Sequence, residues 1–354
     1  FKSIREWTNK SQTTKIEPGQ WTKRCVARAA ASIYDPHGLV APFTVRSKTI
    51  LQEIWKRKEL DWDTPLPKEL CTAWESWMEQ AFVIPDIKIP RWVHYEPKAS
   101  FQIHVFCDAS EEAMCTAVYL RVRKRKEVFV TLIAGKARVS PLKAESISRL
   151  ELAATVMGVR LQGAVQDVYG AVADQIFYWT DSMVCLHWIN VPAKAFKAFV
   201  AHRVGEIQNF TEPRQWSHVP TKENPADLGT RSITALELKE NPLWWNGPEF
   251  LKLPPTEWPK RKVVPVVEEK EMKQTIFRLA PRQNLAEQPK TFKPRRGWNT
   301  VDPNHNSTGH LYDAMNRIVR TIPSADGAVR KVEIMDCDKR TFVRPIHGLI
   351  PIRL

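Results

Sequence analysis

The fold of the central region is decided by the stretch Phe101-Gln102-Ile103-His104-Val105-Phe106-Cys107-Asp108. Apolar and polar side chains alternate along it with the period of two that is typical of a β-strand. Asp108 ends this strand, and the small side chains of Ala109 and Ser110 allow a tight turn after it. The same pattern recurs in Ile176-Phe177-Tyr178-Trp179-Thr180-Asp181, followed by Ser182. The sequence therefore predicts two strands that each end in an aspartate.

A helix is predicted between these strands, from about Leu142 to Gln166. Its apolar residues recur at the spacing of a buried helix face: Ile147, Leu150, Ala154, Met157 and Leu161. Glu151 follows Ile147 by one turn, so we expect its side chain on the buried side. A lone buried carboxylate is destabilising by several kcal/mol unless it is paired or bound to a metal. Glu151 is therefore expected to have a cationic partner.

Asp227 lies in the stretch Asn224-Pro225-Ala226-Asp227-Leu228-Gly229-Thr230-Arg231. Asn-Pro opens a turn, and a short helix is predicted to begin there. Carboxylate oxygens suit Mg²⁺ or Mn²⁺, and two such ions about 3.5–4 Å apart can activate a water and stabilise a leaving oxygen in phosphodiester cleavage. The sequence thus predicts a site for two divalent cations, with four candidate catalytic and metal-binding residues: Asp108, Glu151, Asp181 and Asp227.

These segments resemble the ribonuclease H region of Pao/BEL-type retrotransposon polyproteins. The motifs that carry the resemblance, in the family's order and spacing, are Cys107-Asp108-Ala109-Ser110, Ser148-Arg149-Leu150-Glu151-Leu152-Ala153-Ala154, Trp179-Thr180-Asp181-Ser182, and His218-Val219-Pro220 with Asn224-Pro225-Ala226-Asp227-Leu228. The resemblance implies an α/β fold with a ribonuclease H-like mixed five-stranded sheet flanked by helices. It also implies cleavage of the RNA strand of RNA–DNA hybrids, with the same four carboxylates as metal ligands.

One feature departs from the family pattern. Many ribonucleases H carry a histidine in the mobile loop before the last acid, where it assists product release. Here that loop, Thr221-Lys222-Glu223, contains none, and His218 lies on the preceding predicted strand. The resemblance therefore does not extend to histidine-assisted product release from this loop.

The chain divides into four predicted regions. Residues 1–97 are helical and resemble the connection between reverse transcriptase and ribonuclease H, and 98–235 form the ribonuclease H-like domain. Residues 236–306 form a Trp/Pro-rich connector and a basic linker expected to be mostly disordered, with Trp244 and Trp245 clamping the connector onto a domain. Residues 307–354 resemble a small β module that follows integrase, truncated at its start because Leu311 to Arg320 match its first strands poorly.

Composition points to a polyanionic partner. The chain has 354 residues and a formal net charge of +14, which suits nucleic acid and equally suits an ordinary basic protein. Three basic residues flank the entry to the acidic helix and are candidate phosphate contacts: Lys136, Arg138 and Lys143. The basic hairpin Arg123-Lys124-Arg125-Lys126 is equally well explained as a phosphate contact or as a solvated turn.

Several function classes are disfavoured. The six cysteines form no CxxC pair and are expected to be reduced intracellular thiols. No apolar run approaches the roughly 20 residues that span a bilayer. Because the sequence begins at Phe1, we expect a polyprotein fragment. It shows no polymerase, aspartic peptidase or integrase core, and a reverse transcriptase supplied in trans is a candidate partner.

Three functions remain open from the sequence. The leading hypothesis is a metal-dependent nuclease. The alternatives are a catalytically silent nucleic-acid-binding protein that keeps the fold, and an interaction protein built on the linker and the terminal module.

Overall fold

The computed structural model is organised on a five-stranded mixed sheet in the order β3-β2-β1-β4-β5. Antiparallel pairing joins β1 to β2 and β2 to β3, whereas β1, β4 and β5 run parallel. The strands are β1 (Ser100–Ala109), β2 (Ala113–Lys124), β3 (Glu127–Val139), β4 (Gln175–Thr180) and β5 (Trp216–His218). This sheet, flanked by helices, confirms the predicted ribonuclease H-like α/β fold.

The structure describes part of the chain: residues 20–90, 92–94, 96, 99–125, 127–166, 175–259 and 269–272, and the backbone alone of 167–169, 317–323, 329–335 and 341–345. Two compact units are present, residues 1–277 and residues 278–354. The predictions for the lead-in at 1–19, for Cys337 and for most of the basic linker fall outside the described residues.

The described residues of the first unit include nine α-helices. They are α1 (Lys23–Ala31), α2 (Ala41–Lys56), α3 (Lys68–Ala81), α4 (Ile147–Tyr169), α5 (Met183–Asn190), α6 (Ala198–Phe210), α7 (Asp227–Arg231), α8 (Ala235–Glu240) and α9 (Pro242–Asn246). Within the described residues, no helix combines the length and the apolar character needed to cross a membrane.

Helix α4 covers one face of the sheet. Gly158 permits the close approach, because a Cβ there would lie 2.4 Å from Cys107 Sγ and 3.0 Å from Thr116 Oγ1. The predicted start at Leu142 is wrong. Arg149 and Leu150 both donate backbone N–H groups to Ser146 O, so the first turn forms only there. The predicted place of Ile147 on the buried face is also wrong, since that first-turn residue is 41% exposed.

The N-terminal helices pack on the opposite face of the sheet and share one apolar core with it. Val26 of α1, Ile54 of α2 and Trp74 of α3 belong to the same buried cluster as Phe106 and Tyr119 of the sheet. Asp35 accepts the backbone N–H groups of Leu39 and Val40, both at 2.9 Å, which confirms its role in the turn before α2. The helical region is therefore part of the same folded body.

The connector after α8 closes over the same face. Trp244 is fully buried and its Nε1–H donates to Leu39 O at 2.8 Å, which confirms the expected clamp. Its own carbonyl accepts the Tyr119 hydroxyl at 2.7 Å. Trp258 is buried as well, beside His104. Three tryptophans assigned to the core from their periodic positions are also fully buried: Trp179, Trp188 and Trp216.

Part of the predicted disordered linker is ordered. Residues 254–259 continue the connector with a short 3₁₀ turn, Pro255–Glu257. Further on, Glu269–Glu271 forms another such turn, and Met272 makes a β-bridge with Phe196. Glu271 is buried and accepts two hydrogen bonds from Arg149, at 2.8 and 3.3 Å. The expectation of disorder does not hold for residues 269–272, because a specific ion pair and a backbone pairing hold this segment.

The second unit contains a three-stranded antiparallel sheet in the order β6-β7-β8. Its strands are β6 (Arg317–Pro323), β7 (Val329–Met335) and β8 (Thr341–Pro345). The last two correspond to the predicted strands, which confirms a β-rich module. Strand β6 was not predicted, because the stretch Leu311 to Arg320 has a weak local pattern. The strand nevertheless pairs with β7, with two register shifts.

Candidate metal centre

Asp108 and Asp181 are brought together by parallel pairing of β1 and β4. The register places Cys107 opposite Thr180, so each aspartate is one residue beyond a paired position on adjacent strands. Neighbouring strands lie about 4.8 Å apart. The two predicted strand-end acids therefore meet at one edge of the sheet, at the carboxyl ends of the parallel strands.

Asn224 anchors the loop that leads to the fourth acid. Its Nδ2 donates to Cys107 O at 3.1 Å and lies 3.5 Å from Asp181 Oδ1, while its Oδ1 accepts the backbone N–H of Ala226 at 3.2 Å. This side chain thus joins the ends of β1 and β4 to the turn before α7. Asp227 is the first residue of that helix, as predicted.

Helix α7 lies directly against β2. A Cβ at Gly229 would be 2.2 Å from Cys115 Sγ, so the helix reaches this distance only because residue 229 has no side chain. Thr230 is buried on this helix, with its hydroxyl 2.6 Å from Asp108 Oδ2 and 3.0 Å from Asp227 O. Asp227 itself forms an ion pair with Arg231, at 2.8 Å between Oδ1 and Nε.

Sequence reasoning missed Thr230 and Asn224 as members of the candidate site. Both occur in the quoted Asn224 to Arg231 stretch, where Asn224 was interpreted only as part of a turn signal. The signal available was their position within three residues of Asp227. Their contacts to Asp108 and Cys107, more than a hundred residues away, required the fold.

The four carboxylates act on one another electrostatically. Burial raises the pKa of Asp108 to about 7; the Thr230 hydrogen bond opposes this rise, and the charges of Asp181, Asp227 and Glu151 add to it. Burial also raises the pKa of Asp227; Arg231 opposes this shift and the charge of Asp181 adds to it. Carboxylates that repel one another in a partly desolvated environment form a site where a bound cation would be stabilised.

Glu151 reaches the group from α4. Its side chain is half-buried on the second turn of the helix, where full burial was expected. Its charge nevertheless contributes to the raised pKa of Asp108. The surrounding face of α4 is apolar and buried through Leu150, Leu152 and Ala154.

The donor set fits a hard divalent cation in chemistry, since carboxylate oxygens are the ligands that Mg²⁺ and Mn²⁺ prefer. The positions of the side chains are looser than a formed metal site. Among the described residues, no group of three or more His, Cys, Asp or Glu side chains is arranged to hold a metal ion. Asp108 and Asp227 instead engage Thr230 and Arg231.

The three predicted phosphate contacts divide into two groups. Lys136 and Arg138, on the edge strand β3, line a cavity of 410 Å³ together with residues of α4 and α6. Lys143 is exposed in the segment between β3 and α4 and does not line that cavity. His218 ends β5, as predicted, and the Thr221–Glu223 loop forms a 3₁₀ turn.

A mixed sheet in this strand order, with acids at the ends of β1 and β4 and further acids on α4 and α7, defines a ribonuclease H-like protein. Residues 22–182 match the family model described as the Pao retrotransposon-like RNaseH-like domain, so this part of the chain is similar to that family. The match includes Asp108, Glu151 and Asp181 and ends before Asp227. No curated protein matches the chain.

This family match supports a retrotransposon origin and a nuclease-like, nucleic-acid-binding domain. It also bears out the predicted resemblance to the ribonuclease H region of Pao/BEL-type polyproteins. The division of the chain at residues 97, 235 and 306 stays a prediction.

Proposed function

We propose that this protein is a metal-dependent endonuclease that cleaves the RNA strand of RNA–DNA hybrids. The observation that carries the proposal is the parallel register of β1 and β4, which puts Asp108 and Asp181 side by side at the edge approached by α4 and α7. The raised pKa of Asp108, to which Asp181, Asp227 and Glu151 contribute, supports a shared acidic site. Each acid comes from a different element of the fold.

Asp108, Glu151, Asp181 and Asp227 would hold two Mg²⁺ or Mn²⁺ ions. When bound, such ions supply an activated water and neutralise the charge that develops on the leaving oxygen. Thr230 orients the Asp108 carboxylate through its 2.6 Å hydrogen bond. Asn224 fixes the turn before Asp227 against the end of β1. The protein's part is to place the acids and the substrate phosphate in one geometry.

Substrate binding in this proposal uses phosphate and sugar contacts without reading bases. Lys136, Arg138 and Lys143 lie on the elements that lead into α4, so they are suited to phosphates beside the acidic edge. The hypothesis that a reverse transcriptase supplies the hybrid in trans rests on the sequence alone.

The test is cleavage of an end-labelled RNA–DNA hybrid by the full chain, with Mg²⁺ and with EDTA. We expect cleavage only with Mg²⁺, and a loss of at least about a hundredfold in Asp108→Asn, since carboxylate ligands of this kind contribute several kcal/mol. Glu111→Gln is the matched control: it also removes one negative charge, from an exposed residue three positions away. Equal rates for wild type and Asp108→Asn would refute the nuclease.

A second readout is independent of turnover. Mg²⁺ should raise the melting temperature of the wild type and of Glu111→Gln, because an ion that binds only the folded state stabilises it. Asp108→Asn should show little of this shift. An equal Mg²⁺-dependent shift in all three proteins would place the ion elsewhere.

The second candidate is a catalytically silent nucleic-acid-binding protein. Two observations favour it: the Asp227 carboxylate is engaged by Arg231, and the described residues include no arrangement of three ready ligands. Hybrid binding that weakens with salt, without Mg²⁺-dependent cleavage, would support this alternative. Absence of binding would instead favour an interaction protein.

A further inference from the structure

A further cavity lies along the outer edge of β3. It measures 830 Å³ and is lined by three segments: residues 128–132 of β3, residues 86–90 with Trp92 and His94, and residues of α8, α9 and the chain after them. We call it the edge groove. Ala137 is in register with Cys115, the partner of Asp108, and residue 132 lies about 15 Å further back along β3. The edge groove is therefore separate from the candidate metal centre.

Beyond the edge groove, the outer edge of β3 is covered by the N-terminal region. Gly135 donates its backbone N–H to His37 O at 2.7 Å, and the Ala137 carbonyl accepts the Lys48 ammonium at 3.0 Å. The backbone groups of Gly135 and Ala137 therefore face away from β2. Residues that face away alternate with residues bonded to the neighbouring strand, so Ala117, opposite Gly135, is not hydrogen-bonded to β3.

Along the edge groove, the backbone of β3 is unpaired on its outer side. Strand β2 pairs with β1 without a shift, so the alternation continues from Ala117 to Tyr119. The β2–β3 register shifts by one residue just before Tyr119, which is opposite Leu132. Val128, Val130 and Leu132 therefore turn their N–H and C=O groups outward. Within the described residues, no hydrogen bond reaches these outward groups. They form an open sheet edge with three donors and three acceptors.

The charge around the edge groove is mostly positive. Its lining includes Lys88, Lys239 and Lys252, and Asp86 is the acid among the described lining residues. Lys252 is paired with Glu249 at 2.8 Å. In the part of the chain that the structure describes, no ion pair involves Lys88 or Lys239. Two lysines are thus available to an acidic ligand.

Apolar side chains complete the edge groove. Val130 and Leu132 are buried in the core that the sheet shares with the connector, and Trp245 packs against the same core. Trp92 is 61% exposed, although it is a large aromatic side chain. An exposed aromatic residue beside an unpaired strand is typical of a surface that binds another protein segment.

The occupant that fits these features is a peptide strand with acidic residues. A second copy of this chain is disfavoured, because its formal net charge is +14 and edge-to-edge pairing would bring the same lysines together. A nucleic-acid backbone presents phosphate acceptors, but it has no row of donors at the spacing of a strand to pair with the outward carbonyls. A peptide strand supplies both donors and acceptors.

We propose that the edge groove binds an extended acidic segment of a partner protein, which pairs with Val128, Val130 and Leu132 and adds a strand to the five-stranded sheet. Such β-augmentation gains affinity from main-chain hydrogen bonds, and alternate side chains of the added strand give specificity. The apolar side chains of that strand would face the buried side of the groove, and its acids would meet the unpaired lysines. The proposal does not depend on nuclease activity.

Amide hydrogen exchange of the full chain, followed by NMR, tests the open edge directly. The N–H groups of Val128, Val130 and Leu132 should exchange at least about tenfold faster than those of Phe129 and Thr131, which face β2. The inward amides are the matched internal control, because they lie on the same strand between the outward ones. Equal protection of outward and inward amides would overturn the proposal, since the edge would then already be paired.

Binding is measured with a labelled synthetic peptide of about seven residues, a usual strand length. It has glutamate at both ends and valine alternating with threonine between them. The control peptide carries N-methylvaline in place of valine, so it keeps the side chains but cannot donate to the edge. We expect the first peptide to bind and to protect the outward amides, and the control to bind at least about tenfold more weakly. Equal binding of the two peptides, or no binding of the first at about millimolar concentration, would overturn the proposal.

The charge preference is tested with Lys88→Glu/Lys239→Glu, which reverses the two unpaired charges. It should weaken peptide binding at least about tenfold at low salt, because attraction at each end becomes repulsion. Lys58→Glu/Lys68→Glu is the matched control, with the same charge change at exposed lysines outside the lining. Equal weakening by the two double variants would show a nonspecific charge effect and overturn the acidic preference.

Val128→Pro tests the main-chain pairing from the protein side. Proline is tolerated at an edge position whose N–H faces away from the sheet, so the fold should persist, which thermal melting verifies. Loss of this one donor should weaken the peptide severalfold. Wild-type affinity in both Val128→Pro and Lys88→Glu/Lys239→Glu would contradict binding in the edge groove.

Two measurements distinguish the other occupants. A wild-type dimer in light scattering that dissociates in Val128→Pro would identify a second copy as the occupant. An RNA–DNA hybrid that displaces the peptide, and that binds more weakly to Lys88→Glu/Lys239→Glu than to the control double variant, would assign the groove to nucleic acid. Either result would overturn the peptide proposal. A monomeric wild type and a hybrid that leaves the peptide bound would support it.

Discussion

His104 shows how one polar side chain is accommodated in the centre of the sheet. It is fully buried on β1, and its Nδ1 accepts a hydrogen bond from Trp179 Nε1 at 3.1 Å. The neutral ring must then carry its proton on Nε2, and this buried atom has no hydrogen-bond partner among the described residues. The ring stacks on Phe177 and meets the edge of Trp258. Burial lowers the pKa of His104 well below its usual value, and Arg121 adds to the shift.

The shift makes stability depend on pH in a defined direction. Below about pH 6.5 the unfolded chain protonates this histidine while the folded chain does not, so His104 destabilises the fold as the pH falls. His104→Phe should be less stable than wild type at neutral pH by roughly 1–3 kcal/mol, since Trp179 Nε1 loses its acceptor. That difference should shrink towards about pH 5. Urea unfolding at both pH values measures it, and a constant difference would contradict the account.

At the scale of elements, the contact between α4 and the sheet places Glu151 relative to the strand ends. Gly158 lies over β1 and β2, where a side chain would meet Cys107 and Thr116. Gly163, on the same helix, has no atom within 4 Å of its Cβ position. The two glycines lie on the same helix but have different surroundings. Gly163 is therefore a matched control for a substitution at Gly158.

Gly158→Ala should destabilise the protein by about 1–3 kcal/mol, because the helix must move away from the sheet or neighbouring atoms must shift. Gly163→Ala should be neutral or stabilising by up to about 1 kcal/mol, since alanine favours the helix and finds open space. Denaturant midpoints measure both. Equal effects of the two substitutions would show that α4 does not approach the sheet this closely.

At the scale of the first unit, the apolar core extends through regions that the sequence assigned to different domains. Trp74 from the N-terminal helices, Phe106 from the sheet and Trp244 from the connector belong to one buried cluster. Gly135 of β3 donates its backbone N–H to His37 O at 2.7 Å, which ties the helical region to the edge strand. The ribonuclease H-like sheet thus has one face covered by chain that lies outside 98–235.

A fragment of residues 98–235 should therefore be unstable and prone to aggregate, because it exposes the apolar face that α1 to α3 and the connector cover. Residues 20–277 should unfold in a single cooperative transition. Circular dichroism melts and size-exclusion chromatography of the two fragments test this. A monomeric 98–235 fragment with its own cooperative transition would show that the predicted boundaries mark an independent domain.

Local periodicity in the sequence was enough to predict most elements of the first unit. Strands β1 and β4 differ from the predicted stretches Phe101 to Asp108 and Ile176 to Asp181 by one residue at each end. Alternation and helical spacing depend on neighbours along the chain, so they can be read without knowing the fold. Ends were less predictable, as at Ser146, where one carbonyl decides where α4 begins.

The tertiary structure alone decided which distant side chains meet. The Thr230–Asp108 hydrogen bond, the Arg149–Glu271 ion pair and the shared core with the N-terminal helices each join residues far apart in the chain. The half-burial of Glu151 and the lining of the cavity between β3, α4 and α6 depend on the same packing. The pattern of apolar and polar residues in a segment indicates which of its side chains face the core and which face solvent. Which segments share one core is decided only by how they pack together.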